Sequence, residues 1–241
     1  MPNHEMEKHS ITQSVVLHLL PGFLIGCFYF IARQPVQSLG YPSIFSLVLA
    51  VAFILVPVEL GYLFYQGWQK TGRLTLDGVI SYRNPIPWQQ YIVWVLPIFI
   101  AIGAIFTLLK PIEGVLQETL FFWVPTLNNG LDGNYPKTTL IITYSMFSIF
   151  VTFLGPLVEE LYFRGYLLPR MKGKFAILFH SLLFAAYHVF TPWMIITRTV
   201  ALLPLIYGVQ RKNIYIGIIV HILANSLDAI TGFLFIAGMS S

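Results

Sequence analysis

Six side chains in the second half of the chain have the types and spacing to activate water and to hold the charge that follows. Glu159, Glu160 and Arg164 sit in the run G-P-L-V-E-E-L-Y-F-R-G-Y-L-L-P-R, residues 155–170. His188 closes F-A-A-Y-H, and His221 and Asn225 stand i and i+4 in H-I-L-A-N, on one helix face. A carboxylate beside an imidazole can hold and deprotonate water, and the imidazole can return the proton to a leaving amine. Burial can tune a glutamate to act as a base near neutral pH. A second histidine and an asparagine amide supply the N–H donors that stabilise a tetrahedral oxyanion. The chemistry these types suit is hydrolysis.

Spacing divides the work among the acids. Glu160 and Arg164 are i and i+4 with the acid N-terminal, the favourable order for an ion pair along a helix. Glu159 lies about 100° round the helix from Glu160, too far to share the same guanidinium comfortably. Glu160 therefore reads as the paired, structural carboxylate and Glu159 as the one free for chemistry. The alternative is that both acids share Arg164 as helix–helix glue. Pro156, just upstream, lacks an N–H and disturbs the turn back to Thr152, so a kink opening room beside the carboxylates is expected.

The elements that position these groups are set by composition. Of 241 residues, 56% are hydrophobic and only 10% charged, where an ordinary soluble domain is about 25% charged. This is the composition of a membrane protein, and ionisable groups at membrane depth are functional candidates by default. The expected fold is all-α: a polytopic transmembrane bundle of about seven to eight spans forming one membrane domain over residues 1–241. Residues 1–138 would be variable N-terminal spans and 139–238 a catalytic helical core. Apolar runs long enough to cross a bilayer fall at 14–32, 43–65, 90–109, 139–168, 175–190, 193–209 and 214–238. The run 112–124 reads as a short interfacial helix, and 70–89 as an ordered cytosolic connection. With the N-terminus in the cytosol, nine basic residues lie inside and three (Arg33, Lys110, Lys137) outside, a clear positive-inside bias. These basic residues lie between apolar runs and form no patch, which excludes a nucleic-acid partner. A single cysteine, Cys27, excludes an intrachain disulfide framework. The first apolar run lacks a cleavage site and reads as a retained span. The C-terminal A-G-M-S-S carries no lipidation motif.

Depth can be counted from the inner helix ends at 1.5 Å per residue. Glu159 lies about 16 Å deep, His188 about 21 Å, His221 about 12 Å and Asn225 about 18 Å. Polar residues from three spans thus fall in one slab of the bilayer, an arrangement that scattered core histidines need not share.

The ordered set E-E-x-x-x-R, F-x-x-x-H and H-x-x-x-N, on late transmembrane helices, resembles the CPBP intramembrane proteases, which include the CAAX prenyl endopeptidases and the bacteriocin-processing or immunity (Abi) proteins. The resemblance covers about residues 140–230. It implies that Glu159 and His188 activate water, that His221 and Asn225 form the oxyanion hole, and that Glu160 and Arg164 support the site. It implies a metal-independent hydrolase in a cell membrane, such as a bacterial inner membrane. Its partners would be the lipid bilayer and a membrane-associated, prenylated or leader-type peptide. Every motif residue is present.

Two other readings stand beside this one. Glu159, His188 and His221 could make a His₂Glu zinc set with an open fourth position, although H-E-x-x-H is absent. A non-catalytic membrane partner, for instance a bacteriocin-immunity protein, would keep the helices without needing Glu159. A transporter is disfavoured by the lack of an internal repeat. Elsewhere, Arg198 and Asp228 are expected to pair, at about 18 and 22 Å depth. Glu59 is expected to snorkel to the inner interface, and His18 and His180 to be packing or interfacial residues.

Overall fold

Apolar runs punctuated by proline and glycine become seven helices in a computed structural model, which describes residues 7–239. The first six residues of the polar N-terminal stretch and the two terminal serines of A-G-M-S-S lie outside the described residues. The helices are α1 (Ile11–Ser38), α2 (Ile44–Thr71), α3 (Trp88–Thr119), α4 (Lys137–Arg170), α5 (Ala176–Tyr187), α6 (Ile195–Arg211) and α7 (Ile214–Gly238). Among the described residues every regular element is helical, and six helices, one of them α6 with its leading turn from Pro192, are long and apolar enough to cross a bilayer. The chain is a multi-pass membrane protein.

Two expectations about helix ends are corrected. The run 175–190 forms a helix of only 12 residues, α5, about 18 Å long, and so covers little more than half of a typical hydrocarbon core. It ends at Tyr187 because the chain turns at His188 and re-enters through the short turn Pro192–Met194 to form a hairpin with α6. The run 112–124 is not a separate interfacial helix. Its first part continues α3 to Thr119, because Pro111 is accommodated within the helix. At 32 residues α3 is about 48 Å long, so it projects past the hydrocarbon or tilts.

α4 occupies the centre. Its side chains Val158, Tyr162, Phe163 and Leu167 build the main core with Ile25 and Tyr29 of α1, Leu55 and Leu63 of α2, Phe184 and Tyr187 of α5, and Ile206 of α6. A second core joins α3, α6 and α7 through Ile98, Ile102, Leu205, Val209, Ile216 and Val220. Large apolar side chains such as Phe53, Ile92, Ile100 and Leu234 point outward, as a lipid-facing belt requires.

The connection between α2 and α3 fastens the two helices that carry most of the site. Ser81 N–H donates to the Gly165 carbonyl of α4, and the Tyr82 carbonyl accepts from Ile214 N–H at 2.8 Å. Asn213 caps α7 by accepting from Ile216 N–H at 3.3 Å while its amide donates to the Asn84 carbonyl at 3.1 Å. The N-terminus of α7, where unpaired backbone N–H groups would otherwise be left, is thereby locked against α4.

Candidate active site

α4 widens on either side of Pro156. Over 148–154 and again over 160–167 its hydrogen bonds run i→i+5, shown by Gly155 N–H on the Phe150 carbonyl and Leu168 N–H on the Phe163 carbonyl. α2 has the same wide register over Val51–Leu60, around Pro57. Such π-type turns are rare and concentrate at functional sites. Here the wide stretches hold Glu59, Glu160 and Arg164. In this register the carbonyl of Val151 would be served by residue 156, which is proline and has no N–H. Asn225 of α7 fills that place: its Nδ2 donates to the Val151 carbonyl at 2.9 Å. One of the two amide hydrogens of Asn225 is thus committed to α4, and one is left.

One turn earlier on α7, His221 sits between both acids. Its Nδ1 lies 3.0 Å from Glu160 Oε1 and its Nε2 lies 3.6 Å from Glu159 Oε2. A carboxylate only accepts, so Nδ1 carries hydrogen. The two ring nitrogens of His221 thus bridge the two acids. Glu160 also pairs with Arg164 at 3.3 Å, with neither side chain exposed. The Arg164 guanidinium offsets part of the cost of burying the Glu160 carboxylate. Arg164 is further held over the Phe184 ring, 4.0 Å from its centroid. The His221 side chain keeps 16% exposure, against none for Glu160 and Arg164, so His221 is the face that this cluster offers outward.

Gly217 makes the approach possible. A Cβ there would lie 2.6 Å from Glu160 Oε2 and 2.8 Å from Val209 Cγ2. Only a residue without a side chain lets the α7 backbone reach the buried carboxylate.

His188 lies at the open end of α5, half-buried, on the other side of an aromatic wall. Its Nδ1 donates to the Phe184 carbonyl at 2.9 Å, which leaves Nε2 with a free lone pair. Its ring packs against Phe184, Tyr187 and Phe190, with centroids 4.9, 5.0 and 5.8 Å away. Phe184 also touches His221 at 6.4 Å. Among the described residues no hydrogen bond joins His188 to Glu159. The structure therefore brings Glu159, Glu160, Arg164 and His221 into direct contact, sets Asn225 one turn beyond, and places His188 across Phe184 from His221.

Other expectations are corrected by these contacts. Glu59 does not snorkel: it is fully buried, and Tyr187 Oη donates to its Oε1 at 2.8 Å. Glu59 lies 12 residues before the end of α2 at Thr71, more than three turns, and reaches toward α5, so its short side chain has no path to the interface. Arg198 does not pair with Asp228. It donates to the Thr191 carbonyl and hydroxyl at 3.2 and 2.8 Å, in the turn that precedes its own helix, while Asp228 lies on the exposed side of α7. A partner seven residues back costs less chain ordering than one on another helix. His18 and His180 bond to each other, Nε2 to Nδ1 at 2.8 Å, and pack beside Phe163. Glu59, Tyr187, Phe184 and Gly217 are the site residues that sequence reasoning missed. The acid in P-V-E-L, inside an apolar run, was the one available signal.

For a metal, the fit is poor. Among the described residues no three His, Cys, Asp or Glu side chains converge to hold an ion.

Comparison with known proteins adds one finding. The model of the family "Type II CAAX prenyl endopeptidase Rce1-like" matches residues 141–227, which contain all three motifs. The match spans 87 of the 241 residues, and over that segment the chain is similar to the Rce1-like family. No curated protein and no solved structure matches the chain. That similarity bears out the resemblance read from E-E-x-x-x-R, F-x-x-x-H and H-x-x-x-N. The matched segment contains α5, α6 and nearly all of α4, with the N-terminal half of α7, so it includes every side chain of the charged cluster.

Proposed function

We propose that this protein is an intramembrane endopeptidase that hydrolyses a peptide bond of a membrane-associated substrate, using water activated by Glu159 with His188. The observation that carries the reading is the buried carboxylate–imidazole–carboxylate contact of Glu159, His221 and Glu160, inside the segment shared with the Rce1-like family. Glu159 is the acid left over once Glu160 is tied to Arg164 and His221. It takes a proton from water. His188, with its Nδ1 pinned and its Nε2 free, is oriented to accept and return a proton on the opposite side of the scissile bond. His221, oriented through Nδ1 by Glu160, and the remaining Asn225 amide hydrogen, oriented by the Val151 carbonyl, are assigned to the oxyanion. No step needs a metal. Residues 139–238 supply the chemistry, and the earlier helices brace α4 and cover the site. The family name points to a prenylated C-terminal peptide as substrate, and a leader-type peptide is the other class to be assayed.

The test is cleavage by purified protein of prenylated and leader peptides. Activity in a strong chelator is expected, with a loss of at least 100-fold in Glu159→Ala and in His188→Ala. Equal processing by wild type and both variants removes the catalytic assignment, and inhibition by chelation that zinc restores replaces it with a metal enzyme.

A further inference from the structure

A small polar cavity of about 240 Å³ lies away from the charged cluster, where α2 finishes at Thr71, α4 finishes at Arg170 and the chain enters α1. Arg170 is about 16 Å beyond Glu159 along α4. The lining holds more donors than its own acceptors use. Arg170 is buried, with its guanidinium over the Tyr166 ring, 3.9 Å from the centroid. Its Nη1 donates to the Tyr166 carbonyl at 2.7 Å and its Nη2 to the Val79 carbonyl at 3.3 Å. A guanidinium carries five N–H bonds, so three are left without an acceptor among the described residues. Lys70 Nζ donates to the Gly78 carbonyl at 3.0 Å and keeps two hydrogens. The Tyr62 and Tyr166 hydroxyls lie 3.3 Å apart; one donates to the other, and one hydrogen remains. His9 is only 5% exposed, and its Nδ1 has no partner among the described residues. Glu7 is the carboxylate of the lining, set against Lys70 and Arg170, so the walls are net positive.

Size and surroundings narrow the ligand. The cavity is smaller than the ~300–1,000 Å³ of ordinary ligand sites, enough for a head group and too little for a whole lipid. A guanidinium fork beside an ammonium matches the oxygens of a phosphate. On α2, Tyr65 and Trp68 flank Gln66 of the lining and are each 51% exposed; such aromatic side chains sit at the head-group level of a bilayer. Basic pockets between transmembrane helices at that level take lipid phosphates.

We propose that this cavity binds a phosphate ester, with Arg170, Lys70 and a tyrosine hydroxyl donating to its oxygens. The aromatic pair on α2 puts the phosphate of an anionic lipid within reach, and a soluble phosphate ester offers the same chemistry. The site is separate from Glu159 and does not rest on the proteolytic reading. Binding there would tie the end of α4 to α2 and to the start of α1, the three segments that supply the donors.

The experiment titrates the purified full chain in detergent with dioleoyl phosphatidic acid, dioleoyl phosphatidylcholine and glycerol 3-phosphate. It reads the unfolding midpoint and the bound mass in native mass spectrometry. A ligand that binds only the folded protein raises the midpoint. Phosphatidic acid is expected to raise it and phosphatidylcholine not, because choline brings a cation to Lys70 and Arg170. Stabilisation by phosphatidic acid alone assigns the site to a lipid, and stabilisation by glycerol 3-phosphate as well assigns it to a soluble ester. Lys70→Gln is expected to weaken the affinity about tenfold, and Arg170→Lys, which keeps the charge but loses the fork, to weaken it too. Lys174→Gln, an exposed position outside the lining, should leave it unchanged. Glu7→Gln removes the opposing carboxylate and should tighten binding, a gain that misfolding cannot imitate. The proposal is overturned if neither phosphate compound binds, if Lys70→Gln and Lys174→Gln lose affinity equally, or if Glu7→Gln binds no more tightly than wild type.

Discussion

Gly217→Ala adds one methyl group at the contact on which the site depends. The new Cβ would lie 2.6 Å from Glu160 Oε2, 3.3 Å from Glu160 Cδ and 2.8 Å from Val209 Cγ2. Ordinary contact needs about 3.5 Å, so the carboxylate and α7 must separate by close to 1 Å. Taken out of the 3.0 Å bond between Glu160 and His221 Nδ1, that shift stretches it beyond hydrogen-bonding range. A hydrogen bond to a charged group is worth about 1.5–3 kcal/mol, and overpacking costs about 1–3 kcal/mol. Alanine's better helix propensity returns only about 1 kcal/mol, so destabilisation wins. If Glu160 holds His221 in the transition state, kcat/KM falls roughly 10- to 100-fold. The assay is peptide cleavage together with thermal unfolding in detergent. Gly103→Ala in α3 is the control: a Cβ there meets nothing within 4 Å, so it gains propensity and leaves cleavage intact. Wild-type kcat/KM in Gly217→Ala would refute the reasoning, because Glu160 would then not need its place against α7.

Three further outcomes are expected. Glu160→Gln leaves the fully buried Arg164 without its ion pair, a loss of about 3–5 kcal/mol that is read as a lower unfolding midpoint and that Arg164→Met, combined with it, partly restores. Asn225→Leu strands the Val151 carbonyl at the proline gap in α4, costing about 1–3 kcal/mol; it should lower kcat more than it raises KM, and an unchanged melting curve would disprove the capping role. Near the N-terminus, His9 N–H donates to the Arg170 carbonyl at 2.9 Å, and burial, with Arg170 second, holds the His9 imidazole below its usual range. The unfolded segment therefore binds the proton more readily, so docking is complete above about pH 6.5 and weakens as pH falls through that value toward the lower folded one. Amide exchange in residues 9–13 should quicken over that window in wild type and lose its pH dependence there in His9→Gln.

Much of this protein can be read from local patterns. Apolar run length dictates the long helices, since an uncharged stretch of about 20 residues in lipid must satisfy its own backbone. The i, i+4 spacing of Glu160 and Arg164 dictates their ion pair, because helix geometry alone sets them on one face. The three motifs and their order point to the family that residues 141–227 match. Other features were decided only in three dimensions. Pro156 marks a disturbed turn, but whether α4 kinks or widens depends on a donor from elsewhere, and Asn225 on α7 supplies it. Two acids on neighbouring positions meet a single imidazole because Gly217 lets α7 come close, and a glycine in an apolar run does not say which side chain it will admit. Glu59 shows the difference most plainly. The sequence marks an acid near an interface. That it turns inward to Tyr187, 128 positions away, follows from the packing of α2 and α5 into one core around α4, which no local pattern encodes, since a hydrogen bond between distant segments exists only once the helices that carry them have been brought together.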